Sequence, residues 1–147
     1  MTRTAAACLA LLLPTLSLAD GPATSPAPVP VRVRILRGAR QAPPAFDPKL
    51  ADLRSQLSKL SYVRWEQVSE QTVDMSDRKP HTVQLPNGDE VTLVVEAVKP
   101  RTITVEVALS RRRTRSRLTI GRGQRIVHQV TAERDGVAYF VTVHGMP

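Results

Sequence analysis

Between His81 and His144 the chain repeatedly alternates valine, leucine or isoleucine with polar residues, and short turn signals break the run at Asn87-Gly88, Lys99-Pro100, Ser110 to Arg112, Gly121-Arg122-Gly123 and Asp135-Gly136. A period of two puts alternate side chains on opposite faces of an extended strand, so this stretch predicts an antiparallel meander of about six strands. Parity then sets the registers, because a slip of one residue would turn every inward valine to water. A three-residue loop at Pro86-Asn87-Gly88 pairs Val83 with Val91. A turn at Lys99 to Arg101 places Val95 opposite Val105 and Leu93 opposite Val107. A hairpin at Ser110 to Arg113 sets Val105 against Leu118, Ile103 against Ile120 and, outward, Glu106 against Arg117. Gly121 to Gly123 would next bring Leu118 to Ile126 and Ser116 to His128. The two-residue turn Asp135-Gly136 would set His128 opposite Val143, Val130 opposite Val141 and Ala132 opposite Tyr139.

Upstream, Val29, Val31, Val33 and Ile35 alternate with Pro30, Arg32, Arg34 and Leu36, which reads as a strand with an arginine-bearing outer side. Asp47-Pro48 is a helix start, an N-cap acid followed by proline at the first helical position. Leu50, Leu53, Leu57 and Leu60 follow at steps of three and four and form an apolar stripe that would lie on the sheet. From Tyr62 to Val73 the parity of Val68 disagrees with that of Val73, which indicates a bulge or bend. A strand-helix-strand order is compatible with a crossover that sets this strand parallel to the first. The fold class expected is therefore mainly β (α+β) and sandwich-like, with one amphipathic helix. Val94, Val98, Val127 and Phe140 fall on the outer side, so either the sheet packs on itself or a partner covers part of it.

Residues 1–19 read as an export signal: Arg3, an apolar run from Ala5 to Leu13, a break at Pro14, and Ser17-Leu18-Ala19 as a small-x-small site cleaved before Asp20. The run is too short to span a bilayer, which takes about 20 apolar residues. Cys8, the single cysteine, precedes most of that apolar core, which is the wrong order for a lipidated cysteine. Residues 20–30 are proline-rich and read as a solvated tether, leaving 31–147 as one β-rich domain. The location expected is the periplasm or the cell exterior.

With 21 Lys+Arg against 13 Asp+Glu the chain carries a formal charge of +8, and the excess is concentrated in Arg111, Arg112, Arg113, Arg115, Arg117, Arg122 and Arg125. The registers above put Arg115, Arg117 and Arg125 on one outer face and the others at hairpin tips. Guanidinium groups grip phosphates and carboxylates through paired hydrogen bonds, so this cluster is the candidate partner-binding or anion-binding site. The same arginines would also serve simply to keep strand edges from aggregating. Nucleic acid is a poor fit, because single-strand binders interleave basic residues with stacking aromatics and aromatics are 3% of this chain.

Of His81, His128 and His144, the last two point to opposite faces in the Asp135-Gly136 register, so no metal site is expected, and no cofactor motif is present. No serine elbow, cysteine nucleophile, glycine-rich phosphate loop or helical histidine pair occurs. Asp77, Asp89 and Glu90 sit in or beside loops, where carboxylates are commonly solvated or cap a turn. The expectation is a non-enzymatic interaction or assembly module of the bacterial envelope, with a protein partner. The alternative is a binder of anionic polymers or lipid head groups through the arginine face, and an enzyme ranks third.

The segment Gly123-Gln124-Arg125-Ile126-Val127, followed by a hairpin ending Tyr139-Phe140-Val141-Thr142-Val143, resembles the terminal β-hairpin of bacterial secretins and of small exported envelope proteins. It departs from that pattern at His128-Gln129, where the secretin motif continues into small glycines. The resemblance covers about the last twenty residues and implies a secretion or pilus context, with no catalytic residue.

Overall fold

The structure is a computed structural model and describes residues 29–75 and 78–147. The export signal, all but the last two residues of the tether, and Asp77 lie outside the described residues. Nine strands form two sheets that face each other. β1 (Pro30–Ala39), β2 (Ala45–Phe46), β3 (Arg64–Asp74), β8 (Arg125–Gln129) and β9 (Val137–Gly145) build a five-stranded sheet in the order β2-β3-β1-β9-β8. β4 (His81–Gln84), β5 (Glu90–Val98), β6 (Thr102–Leu109) and β7 (Thr114–Gly121) build a four-stranded sheet in chain order. The protein is a mainly-β, sandwich-like fold, and no helix among the described residues is long and apolar enough to cross a membrane.

The parity argument holds in the four-stranded sheet except at the end of β5, where Val98 pairs with Ile103. Val83 pairs with Val91, Leu93 with Val107, Val95 with Val105, Val105 with Leu118 and Glu106 with Arg117. One residue is inserted between Val95 and Ala97, a bulge that bends β5 as it enters its turn. The inward valines and leucines of this sheet meet Val31, Val33, Ile35, Val141 and Val143 of the other in one inter-sheet core.

Three expectations are corrected. First, β7 and β8 do not pair: Leu118 does not face Ile126, nor Ser116 His128, as ladder partners. The Gly121–Gly123 turn instead carries the chain from one sheet to the other, with Gly123 at φ 75°. The Arg122 N–H donates to the Arg101 carbonyl and the Gly123 N–H to the Gly145 carbonyl, so the turn is tied to both layers. The six-strand meander is thus four strands plus a separate β8–β9 hairpin. Second, that hairpin is shifted by two residues: His128 pairs with Val141 and Ile126 with Val143. The Asp135-Gly136 turn itself forms, with Arg134 and Val137 bonded to each other across it. The two extra residues are taken up at Val130-Thr131, where the Thr131 hydroxyl accepts from the Tyr139 N–H and the Gln129 side chain donates to the Thr131 carbonyl. Third, β3 is antiparallel to β1, and the register slip between them leaves Val68 of β3 as the bulged residue, half exposed at the sheet edge.

Asp47 starts a helical segment as expected, its carboxylate accepting from the Lys49 N–H at 3.0 Å. Residues Pro48–Leu53 form a 3-10 helix and Arg54–Leu57 a single α turn, α1. Three residues per 3-10 turn place Leu50 directly above Leu53, and the α turn brings Leu57 onto the same line. All three are buried, whereas Leu60 lies beyond the helix and is exposed. They pack on the outer face of the five-stranded sheet with Leu36, Trp65, Ala138 and Phe140 in a second core, flanked by Val127. Trp65 therefore turns away from the inter-sheet core. Tyr62, Trp65 and Phe140 meet edge to face with ring centroids 5.0 to 5.5 Å apart. The fold itself thus covers Phe140 and Val127, two of the four outward apolar residues. Val98 remains exposed.

Candidate anion-binding and partner-binding face

The arginine cluster divides according to which sheet each residue belongs to. At the β6–β7 connection Ser110–Arg112 form a 3-10 turn, and Arg113 closes it in the left-handed region at φ 50°. The Arg111 guanidinium reaches Asp89 at 3.1 Å. Asp89 is buried and also accepts from the Asn87 side chain, while its own N–H donates to the Asn87 carbonyl oxygen of the amide. This contact docks the tip onto the β4–β5 turn. Arg112 and Arg113 make no ion pair with any described residue. Along β7, Arg115 and Arg117 point outward. Arg115 lies 3.7 Å from Glu106, and Arg117 donates to Glu96 at 3.0 Å. Both side chains stay about three-quarters exposed (74% and 70%), so these pairs are screened and contribute little to stability.

Arg122 sits in the turn at the far end of β7, away from the tip, and makes no ion pair among the described residues. Arg125 is a correction to the expected placement. Because β8 joins the five-stranded sheet, Arg125 lies on the opposite outer face, where it contacts the Asp52 carboxylate at 3.4 Å and the Asp52 carbonyl at 3.2 Å. It is a structural tie to the helical segment, separate from the face of Arg115 and Arg117.

Two recesses adjoin the tip. The first, about 310 Å³, lies where β7 and β8 part. Thr114 and Ser116 are the inward residues of β7 here, paired with Leu109 and Val107. They are too small to fill the space, which is bounded by Val107, Leu109 and Arg112 on one side and His128, Gln129 and Val130 on the other. The His128 ring makes no hydrogen bond with a described residue, and burial pushes its pKa below the ordinary histidine value. The second recess, about 370 Å³, gathers Arg37, Arg111, Arg112 and Arg134 with Asn87, Asp89 and Tyr139. Arg112, Thr131 and Ala132 line both, so the two recesses adjoin.

Arg37 and Arg134 belong to this site and were not among the candidates. Arg37 had a signal: it extends the inward series Val31, Val33, Ile35 by one step, which places a guanidinium on the inward side of β1 next to Tyr139. It is bonded to Glu66 at 3.1 Å. Arg134 offered none, since the fold of the Val130–Gly136 connection brings it there. The other arginines of β1, Arg32 and Arg34, are paired with Glu70 and Asp52, and Arg40, just past its end, with Glu133. At the β6–β7 tip, Arg112 and Arg113 thus stand without an ion pair among the described residues, beside the paired Arg111.

The histidines do not converge. His128 faces inward on β8, His144 faces outward on β9, and His81 lies on β4, at the opposite edge of the other sheet. Among the described residues no group of three His, Cys, Asp or Glu could hold a metal ion. Asp89 and Glu90 are engaged by Arg111 and by the Gln84 side chain respectively. No protein-family model, curated protein or solved structure matches the chain.

Proposed function

We propose that this chain is an exported, non-enzymatic interaction module of the bacterial cell envelope, accessory to a secretion or pilus system, that docks a protein partner at the open side of the sandwich. Export rests on the leader-like residues 1–19, and the secretion context on the likeness of the closing hairpin to secretins. The observation that carries the docking is the parting of β7 and β8 over a groove instead of their closure into one sheet. Strand edges without neighbours are where extended partners add, and natural folds otherwise cover or shorten them. A photo-crosslinking side chain at Ser116 is expected to capture a defined envelope protein in living cells, while the same group at Gln71, on the opposite edge, does not. Equal labelling from both positions, or none from Ser116, overturns the reading.

A second reading has its own support. Arg112 and Arg113 project without ion pairs, with Arg111, Arg134 and Arg37 around the adjoining recess. Such a tip suits an anionic polymer or lipid head group, each basic residue near an anionic surface contributing about 1 kcal/mol. It predicts binding to heparin or to vesicles containing phosphatidylserine that disappears in 1 M salt, where screening shortens to about 3 Å. Replacing Arg111, Arg112 and Arg113 by serine removes that binding; retention refutes it.

A further inference from the structure

We infer that the free edge of β7 receives an extended partner segment as a fifth strand of the four-stranded sheet, and that this segment alternates acidic with apolar residues. The inference rests on the docking role proposed above and names its chemistry.

The sandwich has four strand edges besides the short β2, and they differ in how well they could take another strand. β3 is covered by β2 only at Arg64 and Trp65, and beyond them its ladder is interrupted at Val68. β4 has four residues. β8 has five, and the chain leaves the ladder at Val130-Thr131. Bulges and short length both make an edge a poor template. β7 alone is long and regular, with eight residues in unbroken register from Thr114 to Gly121 against β6.

The side chains of β7 state what it would accept. Outward are Arg115 and Arg117, largely exposed, and the strand contains no acidic residue. A second copy of β7 laid alongside would oppose arginine to arginine, which is destabilising, whereas glutamate or aspartate at those cross-strand positions is favourable. Inward, Thr114 and Ser116 leave the groove open above the buried Val107 and Leu109, so the alternate residues of an added strand would enter a slot already formed, with an apolar floor and with Arg112, His128 and Gln129 at its walls. Main-chain hydrogen bonds would supply affinity and the alternation would supply selectivity.

The test titrates the full chain against a fluorescent, acetylated nine-residue peptide alternating glutamate and valine, followed by anisotropy. Saturable binding is expected, with the alternate amides of Thr114–Ile120 that point away from β6 gaining hydrogen-exchange protection and those of β3 unchanged. Methylating alternate backbone nitrogens of the peptide, which keeps every charge, should weaken binding at least tenfold. The pair Arg115→Glu, Arg117→Glu should lose the glutamate peptide by a similar factor and gain one with lysine in place of glutamate. No binding by the unmodified peptide up to millimolar concentration overturns the inference, as does equal affinity for the methylated peptide, which would mean charge alone is read. The methylation arm uses the unaltered protein, so it decides the matter even where the double variant fails to fold. A specific crosslink from Ser116 without peptide binding would leave the docking role intact and remove only the strand addition.

Discussion

Arg34 sits on the outer side of β1 beneath the helical segment, its side chain only 7% exposed, and donates to Asp52 at 2.8 Å. Glu70 lies 3.6 Å away on its other side, and Arg125 approaches the second oxygen of Asp52 at 3.4 Å. Removing the acid strands a buried guanidinium, whereas removing the base leaves a carboxylate that is 30% exposed and still contacted by Arg125. Breaking a fully buried pair by deleting one partner costs about 3–5 kcal/mol. Glu70 and the partial exposure of Asp52 reduce this, so Asp52→Ala should cost about 2–3 kcal/mol and Arg34→Met about 1 kcal/mol or less, because the methionine packs where the charge was desolvated. The double variant should then resemble Arg34→Met, with a coupling of about 2–3 kcal/mol in magnitude. Urea unfolding followed by circular dichroism reads this directly. With m of about 2 kcal/mol/M, Asp52→Ala should lower the midpoint by about 1–1.5 M at unchanged m. A midpoint shift for Asp52→Ala under about 0.25 M at that m, or a larger loss for Arg34→Met than for Asp52→Ala, would refute the reasoning.

Asp47 accepts from Lys49 N–H through one carboxylate oxygen and from Gln67 N–H at 3.1 Å through the other, which ties the helix start to β3. Asp47→Ala should cost about 2 kcal/mol by thermal or urea unfolding, combining a lost cap with an orphaned strand donor. Those bonds from Lys49 and Gln67 hold the Asp47 pKa below its ordinary value, so this stabilisation is present above about pH 4 and fades as pH falls through the folded-state pKa. The difference between native and variant should accordingly shrink toward pH 2. A methyl group on Gly38 would lie 3.0 Å from Tyr62 Cγ and 3.2 Å from Phe140 Cε2, both in the aromatic cluster, so Gly38→Ala should destabilise by about 1–3 kcal/mol. Burial depresses the pKa of His128, and burial followed by the charges of Arg125 and Arg32 depresses that of His144. Their stabilisation is complete above about pH 6.5 and declines as pH falls toward the folded-state values, so the melting temperature should drop between pH 7 and pH 5, with a smaller drop in His128→Gln. A melting temperature that rises on acidification over that range would contradict this.

Local pairings could be read from residue patterns because each hairpin of the four-stranded sheet joins neighbours in sequence, and Val83, Val95 and Val105 admit one inward solution. The bulge at Val68 was legible for the same reason, since its parity conflicted with Val73. The two-residue shift of β8 against β9 escaped because it preserves parity: His128 stays inward opposite Val141 or Val143 alike. The crossing at Gly121–Gly123 escaped because a glycine turn reads identically whether the flanking strands pair or part to different sheets. That ambiguity misplaced Arg125, and it hid the groove, which exists only because β7 and β8 separate. The burial of Arg34 was hidden too, since an arginine at an outward position signals solvent until a helix is known to lie over it.

The position of β1 between β3 and β9 has a consequence for the order of assembly. The four-stranded layer consists of successive hairpins and can form as each segment becomes available. The ladder from Val31–Gly145 to Ala39–Val137 instead joins segments on the order of a hundred residues apart, a closure that is slow in proportion to its separation. Until β9 arrives, β1 presents one bare, valine-rich flank. A chain interrupted before Val137 would keep the hairpins of its four-stranded layer yet lack β9, the strand that joins β1 to β8, making this step the point at which premature sticking competes with completion.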